Sequence, residues 1–154
     1  MQCLKEEKGD EMQKILKTII VIFLILFCSG CLLKDNLEKE NIFEVVQENK
    51  KVILQDIKNN NYKQTLKING IKEINSKIGD GYIEFYCGGV GIGSNTGYYG
   101  FYYSINNEVN GLWFIDEKEL VFNGIGYLYK EKDGDNTYYT EKITDNFYYY
   151  EGHF

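Results

Sequence analysis

The carboxylates best placed for acid–base chemistry lie near the end of the chain. Glu141 and Glu151 fall on two predicted strands joined by a turn at Asp145-Asn146, so a hairpin would bring them close together. Glycosidases use two carboxyl groups about 5 to 9.5 Å apart. The pair is therefore a weak candidate catalytic centre, because acidic residues on the wet face of a sheet are far commoner than catalytic ones.

Tyrosine is the residue type in clear excess. The chain has 14 tyrosines and one tryptophan, Trp113. Tyr98 and Tyr102 fall on the strand face opposite Phe101, so both faces cannot easily be core and an exposed row is expected. Rigid aromatic rings suit sugar rings or a protein partner. Tyr98, Tyr102 and Trp113 are thus candidate binding residues; alternatively, tyrosine fills core and edge positions because it favours strands.

The composition argues against several other kinds of site. His153 is the only histidine and arginine is absent, which excludes a multi-histidine metal site and a bidentate phosphate fork. The glycine-rich stretch 88–97 lacks the lysine of a phosphate loop, so a flexible loop or a strained crossing between strands is expected. Cys87 has no basic neighbour and is expected to be a core residue. The net charge of −6 disfavours nucleic acid. We expect no cofactor, metal, nucleotide or nucleic-acid partner.

A secretory signal is predicted ahead of the domain. Lys14 and Lys17 precede an apolar run over residues 19–28, which is too short to span a bilayer core of about 30 Å. Acidic residues before Met12 cancel the positive charge that such a signal needs, so Met12 is the expected initiator. The alternative is an uncleaved single-span anchor over residues 15–33.

Cys28-Ser29-Gly30-Cys31 resembles the lipobox of bacterial lipoproteins, with Cys28 standing where leucine is usual. The resemblance implies cleavage before Cys31 and attachment of lipid to its sulfur. Two acyl chains are enough for stable anchoring. The expected location is the extracytoplasmic face of the bacterial cell membrane.

The remaining pattern predicts one α+β domain. Residues 1–30 are the upstream extension and signal peptide, 31–40 a lipid-anchored spacer and 41–154 the domain. A capping box at Asn41 and Glu44 opens an amphipathic helix that ends at 59–61. An antiparallel sheet of five to seven strands in mostly meander order follows. The predicted strands are Ile71–Ser76, Tyr82–Cys87, Tyr98–Ile105, Leu112–Ile115, Glu119–Tyr129 with a bulge near Gly124 and Gly126, and two strands around Asp145-Asn146 that pair Ile143 with Tyr148 and Glu141 with Tyr150.

Three tyrosine-rich segments, 97–104, 138–143 and 148–151, resemble uncharacterised small lipoproteins of clostridia and related low-GC Gram-positive bacteria. This resemblance implies an envelope location and no known activity. The leading hypothesis is a membrane-anchored binding module that uses a tyrosine-rich sheet face on wall glycan or an envelope protein. The alternatives are a cell-wall glycan hydrolase using a carboxylate pair and a structural or inhibitory accessory protein of the envelope.

Overall fold

The computed structural model describes residues 39–92, 95–113 and 115–154. The predicted signal segment and Cys31 lie outside the described residues. In the described ranges, no helix combines the length and apolar character required to cross a bilayer. The described elements are helix α1 (Lys39–Asn59) and strands β1 (Glu73–Lys77), β2 (Tyr82–Ile92), β3 (Asn95–Ser104), β4 (Val121–Phe122), β5 (Tyr127–Lys130), β6 (Thr137–Thr144) and β7 (Phe147–His153).

Helix α1 packs one apolar stripe on the sheet. Ile42, Val46 and Ile53 recur near the helical period and are fully buried. Asn41 lies inside α1 and not at its N-cap, so the predicted capping box is wrong. Its end at residue 59 agrees with the prediction. Asn60 follows with φ 48°, a left-handed conformation that asparagine tolerates better than most residues.

A buried carboxylate fixes the turn after the helix. Asp56 Oδ2 accepts hydrogen bonds from the backbone N–H of Gln64 at 3.0 Å and of Thr65 at 2.8 Å. The Thr65 hydroxyl donates to the same oxygen at 3.0 Å. These three bonds compensate for burying the Asp56 side chain and direct the chain toward β1.

The seven strands form one antiparallel sheet in the order β1-β2-β3-β7-β6-β5-β4. The predicted α+β class, one helix packed on an antiparallel sheet, is therefore confirmed. The meander order holds within β1–β3 and within β4–β7 but breaks between them, because β7 rather than β4 pairs with β3. The connection that makes this possible spans residues 105–120; we call it the β3–β4 connection.

Residues 88–92 and 95–97 of the glycine-rich stretch are paired in the sheet, so the predicted flexible loop is wrong there. β2 and β3 stay paired from Gly88 opposite Tyr99 to Ile92 opposite Asn95. A Cβ added at Gly89 would lie 2.6 Å from the carbonyl oxygen of Gly97, so the two backbones approach too closely there for a side chain.

Two further strand predictions are wrong for local reasons. Leu112 and Ile115 are buried in the β3–β4 connection and belong to no strand. The predicted strand over 119–129 is divided into β4 and β5 by a turn in which Gly124 has φ 101°. The Asn123 side chain accepts hydrogen bonds from the backbone N–H of residues 125 and 126, which favours a turn rather than a bulge.

The last hairpin turns at Asp145-Asn146 as predicted, with Asn146 at φ 67°. The register that this turn implies holds at Thr144 opposite Phe147 and then shifts by one residue. A bulge at Ile143 causes the shift, so Glu141 lies opposite Tyr149 rather than Tyr150.

Each face of the sheet is covered by a different part of the chain. Helix α1 covers one face, with Phe85, Phe101 and Phe147 in the core. The β3–β4 connection covers the other face through Leu112 and Ile115. Because both faces are covered, the central strands bury tyrosines that would otherwise face solvent, among them Tyr102 and Tyr148.

Candidate functional site

Tyrosine hydroxyls attach the β3–β4 connection to the sheet. The Tyr102 hydroxyl accepts a hydrogen bond from the Asn110 N–H at 3.0 Å, and the Tyr138 hydroxyl donates to the Asn110 carbonyl at 3.0 Å. The Tyr148 hydroxyl donates to the Asn107 carbonyl at 2.8 Å. An irregular segment over a core needs partners for its backbone polar groups, and tyrosine supplies both an apolar ring and a polar tip.

Tyr102 is therefore a core residue. Its side chain is 0% exposed and its hydroxyl also lies 3.1 Å from the Thr140 hydroxyl oxygen. Burial raises its pKa well above the ordinary value. The predicted exposed row is wrong at this position, because the β3–β4 connection covers it.

Tyr98 and Trp113 remain at the surface and lie side by side. Each is 39% exposed, and their ring centroids are 6.3 Å apart in an edge-to-face arrangement. Trp113 also packs edge-to-face against Tyr138, Tyr150 and Phe154, at centroid distances of 5.9, 5.5 and 4.8 Å. The indole is therefore fixed from below, while one side remains open.

The backbone at Trp113 is in a conformation that bulky residues rarely adopt. Its φ is 63°, in the left-handed region. Strained residues of this kind persist where their surroundings hold them, and they cluster at functional sites.

Glycine at position 152 makes room for the indole. A Cβ added there would lie 2.6 Å from the Trp113 ring and 2.7 Å from the Phe154 ring. Gly152 lies on β7 opposite Tyr98 of β3. Because glycine has no side chain, the Trp113 and Phe154 rings can both pack above the sheet at this position.

These rings form the wall of an open cleft of about 570 Å³, which we call the aromatic cleft. Strands β1 and β2 supply its polar floor, β3 and the β3–β4 connection its exposed rings, and the residue after β7 its far wall. The described lining residues are Glu73, Asn75, Glu84, Tyr86, Tyr98, Trp113 and Phe154.

Glu84 provides a fixed, buried carboxylate in the floor of the cleft. Its Oε1 accepts a hydrogen bond from the Tyr150 hydroxyl at 2.7 Å, and its Oε2 accepts one from the Asn75 side-chain amide at 3.2 Å. Burial, followed by the nearby Glu84 charge, raises the pKa of Tyr150 well above its usual range. Each carboxyl oxygen can accept more than one hydrogen bond, so Glu84 keeps acceptor capacity for a ligand's hydroxyl or N–H groups.

Glu141 and Glu151 lie on the other face of the sheet, near the start of α1. The Tyr139 hydroxyl donates to Glu141, which also pairs with Lys39 at 2.8 Å. The Tyr149 hydroxyl donates to Glu151 at 2.7 Å. These contacts do not place the two carboxylates in the aromatic cleft, and their catalytic role stays a prediction.

Sequence reasoning missed Tyr86 and Phe154 as parts of the site. The alternation of Tyr82, Glu84 and Tyr86 gave a signal for the first, whereas nothing in the pattern indicates that residue 154 folds back beside Trp113. Cys87 is buried as predicted, and burial raises the pKa of its thiol to about 12. Within the described ranges, no three His, Cys, Asp or Glu residues are placed to hold a metal ion.

Comparisons with known proteins give no relative from which a role could be transferred. No family model, curated protein or solved structure matches the chain.

Proposed function

We propose that this protein is a binding module of the bacterial envelope that holds a glycan in the aromatic cleft. The observation that carries the proposal is the pair Tyr98 and Trp113, half-exposed side by side at the mouth of a cleft of about 570 Å³. Ligand sites of about 300–1,000 Å³ with aromatic walls and a few fixed polar groups are typical of small-molecule recognition.

The polarity of the cleft suits a sugar. Aromatic faces pack against the apolar C–H faces of sugar rings, and the Tyr98 and Trp113 rings present this kind of surface. Glu84 and Asn75, already held by hydrogen bonds, supply an acceptor and an amide for hydroxyl and acetamido groups. Because the described charged residues of the cleft are Glu73 and Glu84, a neutral or cationic glycan fits better than an anionic one.

The sequence supports a place for this module beside the cell wall. Lipid on Cys31 would hold the domain at the extracytoplasmic face of the membrane, with the membrane as its first partner. Mass spectrometry of the membrane-associated protein tests this directly. A chain that begins at diacylglyceryl-modified Cys31 is expected, and an intact or unmodified chain would contradict the anchor.

One observation favours a second candidate, a wall-glycan hydrolase. Glu73 and Glu84 both line the aromatic cleft, and the β1–β2 register places them diagonally across adjacent strands. Diagonal residues of this kind have Cα atoms about 7–8 Å apart, which allows their carboxyl groups to reach the separation of about 6.5–9.5 Å that inverting glycosidases use. Release of reducing sugar that Glu84→Gln abolishes would establish hydrolysis; binding without release would leave the module as a binder.

The binding proposal is tested by sedimentation of the full chain, in mild detergent, with purified walls of a low-GC Gram-positive bacterium. We expect the wild-type protein in the wall pellet and at least about tenfold weaker retention for Tyr98→Ala, because Tyr98 is an anchor at the mouth. Phe122→Ala is the matched control. Phe122 is a 59% exposed aromatic residue on β4, and β4 is the edge strand of the sheet on the side away from β1. Equal retention of the two variants, or none of the wild type, would refute the proposal.

A further inference from the structure

A second aromatic cluster lies where α1 begins, on the helix-covered face of the sheet. The Lys39 ammonium lies 5.0 Å from the ring centroid of Tyr139, 5.3 Å from that of Tyr149 and 5.8 Å from that of Phe43. The same nitrogen is 2.8 Å from Glu141 Oε2. Three rings and one carboxylate thus surround a single cationic group; we call this arrangement the ammonium cage.

The cage is held in place by the sheet and is open on one side. Tyr139 and Tyr149 donate hydrogen bonds to Glu141 and Glu151, which fixes both rings and both carboxylates. A groove of about 360 Å³ opens beside it, and its described lining residues are Lys39, Glu40, Phe43 and Glu141. Apart from the Lys39 ammonium, the charged groups named here are all carboxylates, so the surroundings of the cage favour a cation.

We propose that the ammonium cage is a binding site for a methylated ammonium ligand of the choline class, which displaces the Lys39 side chain. Aromatic cages recognise such cations because their charge lies over the ring quadrupoles. The primary ammonium of lysine is strongly hydrated, whereas a trimethylammonium group packs its methyl groups on the rings. Glu141 supplies the countercharge for either occupant.

Lys39 acts as an internal competitor. Its side chain is 37% exposed, so it can rotate out of the cage toward solvent while the helix backbone stays in place. A part-exposed lysine held by cation–π contacts and one ion pair is displaced at modest cost. We expect removal of the Lys39 ammonium to strengthen choline binding about 10- to 100-fold, because the cage is then fully available.

The test is calorimetric titration of the full chain with choline and with ethanolamine, which differ only in methylation of the nitrogen. Lys39→Ala should bind choline more tightly than the wild type and more tightly than it binds ethanolamine. Lys50→Ala is the matched control. Lys50 is on the same helix as Lys39, but its ammonium lies 5.8 Å from the ring centroid of Phe147, outside the cage. Glu141→Gln should weaken choline binding.

Three results would overturn the proposal: Lys39→Ala that does not bind choline, Lys50→Ala with the same gain, or ethanolamine bound as tightly as choline. If Lys39→Ala loses the circular dichroism spectrum of the wild type, Lys39→Gln replaces it, because glutamine removes the charge and has a helix propensity close to that of lysine. Flotation with phosphatidylcholine and phosphatidylglycerol vesicles assigns the source. If Lys39→Ala floats with phosphatidylcholine vesicles more than Lys50→Ala does, and shows no such difference with phosphatidylglycerol, the cage binds a lipid headgroup. If Lys39→Ala binds choline in the calorimeter but shows no difference in flotation, the cage binds a soluble or polymer-borne ligand.

Discussion

Replacing Gly152 by alanine should displace the indole that forms the aromatic cleft. The new Cβ would lie 2.6 Å from the Trp113 ring and 2.7 Å from the Phe154 ring, so at least one ring must move. Trp113 cannot move inward, because Tyr138 and Tyr150 pack against it, whereas its outer side is exposed. We therefore expect the indole to swing toward solvent.

The cost follows from the contacts that the indole loses. Overpacking typically costs about 1–3 kcal/mol, and each aromatic pair lost adds about 0.5–1.5 kcal/mol. We expect the free energy of unfolding to fall by about 2 kcal/mol, which moves the urea midpoint by about 1 M. Gly79→Ala is the control, because a Cβ there meets nothing within 4 Å.

The assay combines urea unfolding with the emission of Trp113, the single tryptophan of the chain. Gly152→Ala should shift the folded-state emission to longer wavelength and lower the midpoint, while Gly79→Ala should do neither. Unchanged emission and stability in Gly152→Ala would show that the indole is not held against β7, and the description of the cleft would be wrong.

Three further predictions concern buried groups. Burial raises the pKa of Tyr102, Tyr138 and Tyr150 above the ordinary value of 10.0. The free energy of unfolding should therefore be constant below pH 10 and fall as the pH rises from 10 toward the folded-state values, by about 1.4 kcal/mol per pH unit for each tyrosine and about 4 kcal/mol per pH unit for all three. Urea midpoints measured from pH 8 to 12 check this, and a flat profile would contradict it. Cys87, with its pKa raised to about 12, should resist iodoacetamide at pH 8 until urea unfolds the chain, as peptide mass mapping would report; rapid labelling of the folded protein would contradict its burial. Asp56→Ala should lower the free energy of unfolding by about 3 kcal/mol in urea titrations, because buried backbone N–H groups lose their acceptor, and a loss below about 1 kcal/mol would show that water replaces it.

Local patterns predicted the elements of this fold better than their arrangement. The helical period over α1 and the turn at Asp145-Asn146 appear in the structure because short-range physics determines them. The bulge at Ile143 and the pairing of β3 with β7 depend on contacts between distant segments. No local pattern reports such contacts, so the predicted register and meander order were wrong there.

The candidate site shows the same division. The excess of tyrosine and the single tryptophan led to Tyr98 and Trp113, and the structure brings these two together. Tyr102 was placed wrongly, because strand alternation says which face a residue lies on and not what covers that face. The β3–β4 connection covers Tyr102, and the backbone N–H of Asn110 donates to the Tyr102 hydroxyl. In the sequence, a tyrosine that holds a loop in this way looks the same as one that binds a ligand.

Whether the aromatic cleft takes up a glycan decides the proposed function. The decisive measurement is titration of the full chain with soluble wall-glycan fragments while the emission of Trp113 is followed. We expect a saturable change in wild type and in Phe122→Ala, and at least about tenfold weaker binding in Tyr98→Ala. Emission that does not respond to the fragments, or a Tyr98→Ala curve identical to wild type, would contradict the assignment of the aromatic cleft as the binding site.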